Sequence, residues 1–512
     1  MKRNKYKTDI IRLMIFIMFS LPACTNLDET VYDQLPVDEY GTNETQINSI
    51  IAPIYRTLKS AFGNVWLMAE CSSDMSVTPT RKGGDWWDGG QFKALRQQSW
   101  TPSTNIIKGG YDNATNAIST CNQIYYAIES SEAEIQNKER VLAEIRGVRA
   151  FWYYVLIDNY GNVPIVTDFA DTSKPSTSAR KDVYAFIISE LEAIKDIVRD
   201  DVSSSSYGKV TKGVVYTLLA KMYLNALVWN PEGGAKWQEC ADACDVVMGL
   251  DYLIEPDWKA SFEVNNQSSK EIIFPGIFST SDGGNSLAKR TLHYLDPIAL
   301  GLNIGTWNGL SAMPEFVKSF DAADKRKAWS FLTGPMKDPA TGQTLITAHG
   351  RPLIHTEDIN MVYNIDPDGW GYVEQEEGAR CFKWEFESGM NGDMENDFGI
   401  FRLADVYLMK AEALVRMNKE NAEATRLVNV IRARAFDDAS KLKTTVSLDD
   451  IYKERRFELA WEGYGRQDQI RFGTFRNAIT GWKPQTDANH LLFPIPQTAR
   501  DANPNLTQNP GY

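Results

Sequence analysis

Three segments of the chain share a pattern of small and large apolar residues, and this pattern constrains the fold more than any other feature. In each segment an alanine is followed at the third, fourth and seventh positions by larger apolar residues or by a second alanine. The matches are Ala150/Tyr153/Tyr154/Ile157, Ala220/Tyr223/Leu224/Leu227 and Ala404/Tyr407/Leu408/Ala411. Residues at this spacing lie on one face of an α-helix. The small residue lets a neighbouring helix approach closely, while the aromatic ring fills the groove beside it.

The same 3.6-residue periodicity predicts two groups of helices separated by a long gap. The predicted helices are 44–60, 105–129, 134–158, 182–199, 211–229, 235–249, 402–417, 420–435 and 447–463. Ala150 and Ala220 are 70 residues apart, which is about two repeats of 34 residues in a tetratricopeptide-type array. Ala220 and Ala404 are 184 residues apart. The spacing therefore predicts an irregular array of helix pairs interrupted by an insertion.

The insertion, residues 251–400, has a different composition from the segments around it. Clusters of Gly, Asn, Asp and Ser are frequent, and helical periodicity survives in patches such as 313–320. Loops with short strands are expected here. The predicted fold is mainly α, a tetratricopeptide-like scaffold with a loop-rich insertion carrying short strands. We assign residues 44–250 to an N-terminal helical part, 251–400 to a variable binding region, and 401–512 to a C-terminal helical part that completes the scaffold.

The first 24 residues predict export and lipidation. Lys2, Arg3, Lys5 and Lys7 form a basic start, and an apolar run of about eleven residues follows, half of the ~20 residues that span a bilayer. Leu21-Pro-Ala-Cys24 resembles the bacterial lipobox, in which the cysteine becomes the lipidated first residue. Residues 1–23 are therefore predicted to be a lipoprotein signal peptide, Cys24 the lipidated residue, and 24–43 a tether to the membrane.

Charge and composition exclude several classes of function. The formal net charge is −13, which argues against nucleic-acid binding because that needs a basic surface. Without Cys24 five of the six cysteines remain, an odd number that favours no disulfide framework. Cys240 and Cys244 lie one helical turn apart without a nearby histidine, so we expect them to be buried. The four histidines have no ligand-like spacing, which argues against a zinc or histidine-based centre.

A glycine-rich segment, Arg81–Gly90, is the first candidate binding loop. It contains Trp86 and Trp87, flanked by Asp85 and Asp88, and four glycines favour a loop. A sugar offers an apolar C–H face and a hydroxyl edge, so a flat aromatic ring beside carboxylate or amide groups suits it. The residues predicted to bind ligand here are Arg81, Asp85, Trp86, Trp87 and Asp88. A packed structural turn is the alternative, since adjacent tryptophans usually divide between core and surface.

Further candidate residues lie in the insertion. Trp307 and Asn308 belong to the glycine-rich loop 301–309, and Tyr294 lies a short distance before it. Trp370 and Tyr372 form another aromatic pair. For all of them a loop hydrophobe covering the scaffold is the alternative to ligand contact.

Two further patterns have simpler explanations than catalysis or metal binding. Residues 364–369 match the start of a calcium loop, but position twelve is Gln375, so an ordinary turn is favoured over a structural Ca²⁺ site and no cofactor is predicted. Glu454, Glu458 and Glu462 recur every four residues, a spacing that favours ion pairs on one helix face over the two carboxylates of a glycosidase.

Several short motifs, taken in order, resemble those of the SusD/RagB family of outer-membrane nutrient-binding lipoproteins. They span nearly all of residues 24–512. The motifs are Asn26-Leu-Asp28, Arg149-Ala-Phe-Trp-Tyr-Tyr154 with Tyr160-Gly-Asn-Val-Pro164, Arg402-Leu-Ala-Asp-Val-Tyr-Leu408 with Ala411-Glu-Ala-Leu414, Glu454-Arg-Arg-Phe-Glu-Leu459 with Asp468-Gln-Ile-Arg-Phe-Gly473, Phe493-Pro-Ile-Pro496 and Gln508-Asn-Pro-Gly511.

The resemblance implies a non-enzymatic protein with a helical scaffold of four tetratricopeptide-like pairs. It implies a TonB-dependent, SusC-like barrel as partner, which the lipoprotein covers like a lid, and a location on the surface of the outer membrane. The sequence is thus interpreted as that of a lipid-anchored protein that captures oligosaccharide and delivers it to the transporter. A peptide-binding member of the same family and a surface glycoside hydrolase are the alternatives.

Overall fold

Helices dominate the computed structural model, which describes residue 41 and the ranges 43–362 and 371–512. The predicted signal peptide, Cys24, almost all of the tether and the candidate calcium turn lie outside the described residues. The N-terminal helices are α1 (Glu44–Arg56), α2 (Asn64–Ser72), α3 (Gln91–Gln97), α4 (Asn105–Ser130), α5 (Lys138–Asn159), α6 (Arg180–Ile194), α7 (Lys212–Leu224), α8 (Ala226–Trp229) and α9 (Trp237–Met248). The later helices are α10 (Leu287–Thr291), α11 (Asp296–Leu300), α12 (Pro314–Lys318), α13 (Lys325–Ser330), α14 (Leu403–Arg416), α15 (Asn421–Ala435), α16 (Leu448–Glu458), α17 (Gly465–Arg471) and α18 (Gln497–Ala502).

The long helices pack in pairs, as the small-and-large apolar pattern predicts. Helix α4 packs on α5, α5 on α6, α7 on α9, and α14 on α9, α15 and α16. Ala150, Ala220 and Ala404 are fully buried at these contacts. Contact between α9 and α14 joins the N-terminal helices to the C-terminal ones across the insertion. The predicted fold class, a helical-pair scaffold with an insertion, is confirmed.

Two helical predictions need correction. Leu227 was expected on a buried stripe but is 44% exposed, because α7 ends at Leu224 and a separate short helix follows. The last predicted helix, 447–463, ends at Glu458 instead. Trp461 and Gly463 have φ angles of 67° and 81°, left-handed values that a right-handed helix cannot continue through.

Within the described residues, eight short strands form four separate two-stranded antiparallel sheets. The strands are β1 (Ser76–Val77), β2 (Ile272–Gly276), β3 (Ser311–Ala312), β4 (Phe331–Leu332), β5 (Gly334–Pro335), β6 (Ile354–His355), β7 (Arg380–Cys381) and β8 (Phe398–Arg402). Strand β2 near the start of the insertion pairs with β8 at its end, with Ile272 opposite Arg402. Strand β1 of the N-terminal part pairs with β3 of the insertion. These two sheets attach the insertion to the scaffold.

The glutamates spaced by four residues are buried in ion pairs, as predicted. Glu458 is fully buried and pairs with Arg326, Arg402 and Arg434. Glu462 pairs with Lys383 and Arg402. Burial alone would raise the pKa of Glu458, but Arg434 and the other two arginines lower it to about 2. We refer to Arg326, Lys383, Arg402, Arg434, Glu271, Glu454, Glu458 and Glu462 as the buried charge network.

The prediction that Cys240 and Cys244 are buried is also confirmed. Cys71, Cys121, Cys240, Cys244 and Cys381 are buried and free. None of the described helices combines the length and the apolarity needed to cross a membrane.

We predict that Glu458→Ala lowers the free energy of unfolding by roughly 3–5 kcal/mol, because it leaves three buried guanidinium groups short of a partner. Glu232→Ala is the matched control, since it breaks the exposed pair with Lys181 and should change stability little. Urea unfolding monitored by circular dichroism measures both. Equal midpoints for the two variants would contradict the role given to the network.

Candidate functional site

Two loops, 81–90 and 301–309, and the turn before α11 bring three predicted aromatic residues together at the surface. Trp86 donates a hydrogen bond from Nε1 to the backbone oxygen of Trp307, and their ring centroids lie 6.5 Å apart at an angle of 49°. The Tyr294 hydroxyl donates to the carboxylate of Asp85. Trp307 is 42% exposed and Tyr294 is 37% exposed. We call Asp85, Trp86, Tyr294 and Trp307 the aromatic site.

The first loop owes its shape to its glycines. Four glycines at positions 83, 84, 89 and 90 have positive φ angles, and Trp86 (64°) and Asp88 (42°) adopt left-handed conformations as well. The loop closes where the Arg81 N–H donates to the Asp85 carbonyl over 2.8 Å. Phe92 of α3 supports Trp86 from behind, with ring centroids 5.3 Å apart and nearly perpendicular planes. Trp86 is thus held between the first turn of α3 and loop 301–309, which is the second loop of the site.

The second loop needs a glycine where it meets Trp86. A Cβ atom on Gly309 would lie 2.4 Å from Cε2 of Trp86 and 2.8 Å from the backbone oxygen of Arg290. That oxygen accepts hydrogen bonds from the N–H groups of Gly309 and Leu310, each over 2.9 Å. Neither neighbour can move freely, so the close contact between the loop and the indole requires glycine at this position.

Arg81 was predicted as a ligand contact, and the structure places it elsewhere. The side chain is fully buried, so it has no surface to offer a ligand. Its guanidinium donates to the carbonyl oxygens of Asn308, Gly309 and Glu377 over 2.8–2.9 Å. Burial, followed by repulsion from Arg380, lowers its pKa well below the usual value. Arg81 ties the first loop to two segments of the insertion and is a positioning residue.

Asn308 needs a similar correction. It is fully buried and cannot meet a ligand at the surface. Its N–H donates to the Leu292 carbonyl over 2.9 Å, and its own carbonyl accepts from Arg81. Asn308 therefore holds the backbone beneath Trp307 and Tyr294.

The other residues predicted to contact ligand lie outside the aromatic site. Trp87 is half-buried, with the Lys93 ammonium 5.7 Å from its ring centroid, and in the described part of the chain it makes no ring contact with the aromatic site. Asp88 is exposed. Tyr372 is half-buried, and the Lys82 ammonium lies 5.9 Å from its ring centroid. Trp370 lies outside the described residues.

A buried polar cluster underlies the site. His355 Nε2 lies 2.9 Å from the nearer carboxylate oxygen of Asp296, and both side chains are completely buried. His293 is buried too, and burial together with the nearby Arg380 lowers its pKa to about 3. A histidine and a carboxylate are potential catalytic groups, but these have no surface that a substrate can reach. The cluster therefore supports the loops.

Sequence reasoning missed three residues that shape the aromatic site. Phe92 packs against Trp86, and Gly309 leaves the space that the Trp86 indole occupies. Arg290 places its guanidinium carbon 5.7 Å from the Trp307 ring centroid. The glycine directly after Trp307 and Asn308 was a usable signal, because a glycine beside a bulky ring is typical of a close approach. Arg290 and Phe92 belong to no recognisable motif.

Chemically, the aromatic site can bind but has little means to react. It offers exposed ring faces, a carboxylate at one edge and a guanidinium at another, a combination that fits a neutral polar ligand with an apolar face. Within residues 41, 43–362 and 371–512, no group of three or more His, Cys, Asp or Glu side chains could hold a metal ion.

We predict that Gly309→Ala displaces Trp86, because the new methyl group would occupy space filled by the indole. The displacement should red-shift tryptophan fluorescence and lower the thermal midpoint by several degrees. Gly305→Ala is the control in the same loop, since a Cβ there would meet nothing within 4 Å. Similar spectra and midpoints for the two variants would show that the loop contact is not tight.

Comparison with protein families and curated proteins identifies relatives of the whole chain. Residues 27–224 match a family model described as "Starch-binding associating with outer membrane", and residues 366–512 match the model of the SusD family. The starch-binding protein SusD of Bacteroides thetaiotaomicron is 23% identical over 83% of this chain and 82% of its own length. SusD-like protein P2 of Formosa agariphila is 24% identical over 99% of this chain and all of its own length.

Solved structures share the fold. A SusD superfamily protein from Parabacteroides distasonis gives a TM-score of 0.74 at 22% identity and covers 91% of this chain and 99% of its own. A surface glycan-binding protein of Bacteroides thetaiotaomicron, solved with laminarihexaose, gives 0.71 at 19% identity with the same coverage. The named functions of these relatives are binding functions, which supports the prediction that the chain is not an enzyme. Family models match residues 27–224 and 366–512, which together make up more than half of the sequence, and this chain belongs to the SusD/RagB family.

Proposed function

We propose that this protein captures an oligosaccharide at the aromatic site and delivers it to a TonB-dependent outer-membrane transporter. The observation that carries the proposal is the pair of large rings left exposed beside a carboxylate, Trp307 and Tyr294 next to Asp85. Exposed rings grouped beside a polar side chain form the kind of surface patch that marks a ligand-binding site.

The geometry suits a sugar ring in particular. The C–H face of a pyranose packs on an indole or phenol ring, and burial of that apolar area provides affinity. The Asp85 carboxylate already accepts the Tyr294 hydroxyl, which leaves further lone pairs for a sugar hydroxyl. Because the Trp86 indole donates to the backbone oxygen of Trp307 and packs on Phe92, this ring loses little side-chain freedom on binding.

Names of relatives agree with this ligand class. One structural neighbour is a "Laminarin binding SusD-like protein", another was solved with laminarihexaose, and a curated relative is a starch-binding protein. These names support a glucan or related glycan as ligand of the present chain.

The proposal also includes attachment of the protein to the membrane and transfer of the bound oligosaccharide to the transporter. We infer that Cys24 is lipidated and that residues 24–43 let the binding domain stand away from the outer membrane. The transporter, a SusC-like barrel, is inferred from the family. It would supply the energy for import, while this protein supplies selectivity.

We predict that the purified protein binds at least one member of a glycan panel of starch, laminarin, xylan, pectin and mucin oligosaccharides. Trp307→Ala and Tyr294→Ala should each weaken binding roughly tenfold, since a lost ring contact costs about 1–1.5 kcal/mol. Tyr294→Phe keeps the ring and should retain most of the affinity. Isothermal titration calorimetry measures all of them.

Phe169→Ala is the matched control, because Phe169 is 43% exposed and belongs to neither loop of the site. Binding to peptides and to no glycan would assign the protein to the peptide-binding alternative. Release of reducing ends from any polysaccharide in the panel would contradict a purely binding role.

We predict that Cys24→Ala releases the protein from the membrane fraction of the producing bacterium, because a chain without its lipid has no anchor. The wild-type protein should need detergent for release and should incorporate labelled palmitate. Thr25→Ala, which changes the neighbouring residue and keeps the thiol, should behave as wild type. Membrane retention of Cys24→Ala would rule out lipid anchoring through this residue.

A further inference from the structure

A second aromatic cavity lies in the insertion, apart from the aromatic site. Its volume is about 350 Å³, within the range typical of ligand pockets. Aromatic and aliphatic side chains form most of its lining, namely Phe262, Leu300, Trp329, Phe382, Trp384 and Phe386. We propose that this cavity is a second glycan-binding site, used together with the aromatic site when one polysaccharide chain is bound; the inference rests on the proposed function.

Trp329 is the platform of the second cavity and is rigidly supported. It is half-buried and stacks on Trp258, with ring centroids 5.5 Å apart and an interplanar angle of 26°. Trp258 in turn donates from Nε1 to both carboxylate oxygens of Glu458, each over 3.1 Å. The buried charge network therefore holds the platform, and a ring fixed in this way binds a flat ligand face at low entropic cost.

Polar groups at the rim match the hydroxyl edge of a sugar. Lys259 places its ammonium 5.4 Å from the Trp329 ring centroid and forms no ion pair within the described residues. Glu263 and Glu385 line the same cavity and are exposed. One Glu385 carboxylate oxygen accepts from the N–H of Val264 over 2.9 Å, so this carboxylate is held in place. Donors and acceptors around an apolar floor favour a neutral sugar over a purely apolar ligand.

Both sites share one stretch of chain, which limits the distance between them. Leu300 of the cavity follows Tyr294 of the aromatic site by six residues, and the fully extended chain spans at most about 22 Å over that separation. Two backbone hydrogen bonds join the turn after Leu300 to the segment that follows Phe386. Gly389 N–H donates to the Gly301 carbonyl and Asn303 N–H to the Met390 carbonyl, each over 2.8 Å. Trp307 follows four residues later.

Ile298, on the short helix α11 between the two sites, is 47% exposed. An exposed apolar residue therefore lies on the stretch of chain that joins Tyr294 to Leu300. A polysaccharide bound at one site would therefore meet the other at high effective concentration, which raises its overall affinity above that of a short oligosaccharide.

The test compares each polysaccharide of the panel with its own disaccharide, which is too short to reach both sites, for wild type, Trp307→Ala and three further variants. Trp329→Ala should lower polysaccharide affinity about tenfold or more by removing the second contact. It should leave the disaccharide affinity of the aromatic site unchanged, which also shows that the variant is folded. Phe386→Ala, which removes a smaller part of the lining, should act in the same direction. Phe169→Ala should change neither affinity.

Outcomes for the two proposals are distinguishable. If the wild type binds a polysaccharide and both cavity variants bind it equally well, the second site is wrong and the aromatic site stands. If Trp329→Ala and Trp307→Ala weaken disaccharide binding equally, the two rings belong to one site and the second site is again wrong. If no glycan binds to the wild type, the proposed function fails and the second site fails with it.

Discussion

Burial of Glu458 among three arginines is the interaction on which the rest of the structure depends. Arg402 and Arg434 come from the C-terminal helical part, whereas Arg326 comes from the insertion. Charges taken out of water are tolerated when their partners are in place, and removal of one partner is strongly destabilising. The buried charge network therefore joins the insertion to the scaffold in a defined position. It gives a region of loops, short helices and two-stranded sheets the rigidity that extended secondary structure provides elsewhere.

Beneath the aromatic site, the buried side chains of Arg81 and Arg380 likewise hold separate segments of the chain together. Arg81 satisfies three backbone carbonyls from two segments of the insertion, and Arg380 donates to the Gln375 carbonyl and to the Ser311 hydroxyl nearby. Loop carbonyls need such partners because no helix or sheet supplies them. Trp307 and Tyr294 can remain exposed in fixed positions because the backbone below them is held by charged donors.

Helix periodicity, small-residue stripes and ion-pair spacing in the sequence were sufficient to predict the scaffold. Helix α2 was not predicted from the sequence. Trp66, Leu67 and Met68 are all buried, so this helix has no polar face and no hydrophobic periodicity. At the site, Trp86 and Trp307 could be predicted as aromatic residues in glycine-rich loops, and Tyr294 from its position shortly before the second of these loops. The burial of Arg81 and Asn308 could not, since a charged or polar residue in a loop is normally exposed and burial depends on contacts more than 200 residues away.

The central claim is that rigidly held surface rings bind sugar without changing it. A crystal structure of the protein with the hexasaccharide that binds best tests this most directly. The account predicts pyranose faces within about 4 Å of the Trp307 and Tyr294 rings, a sugar hydroxyl hydrogen-bonded to Asp85, and intact glycosidic bonds. A hexasaccharide bound elsewhere while these rings remain in water, or a cleaved product in the site, would contradict it.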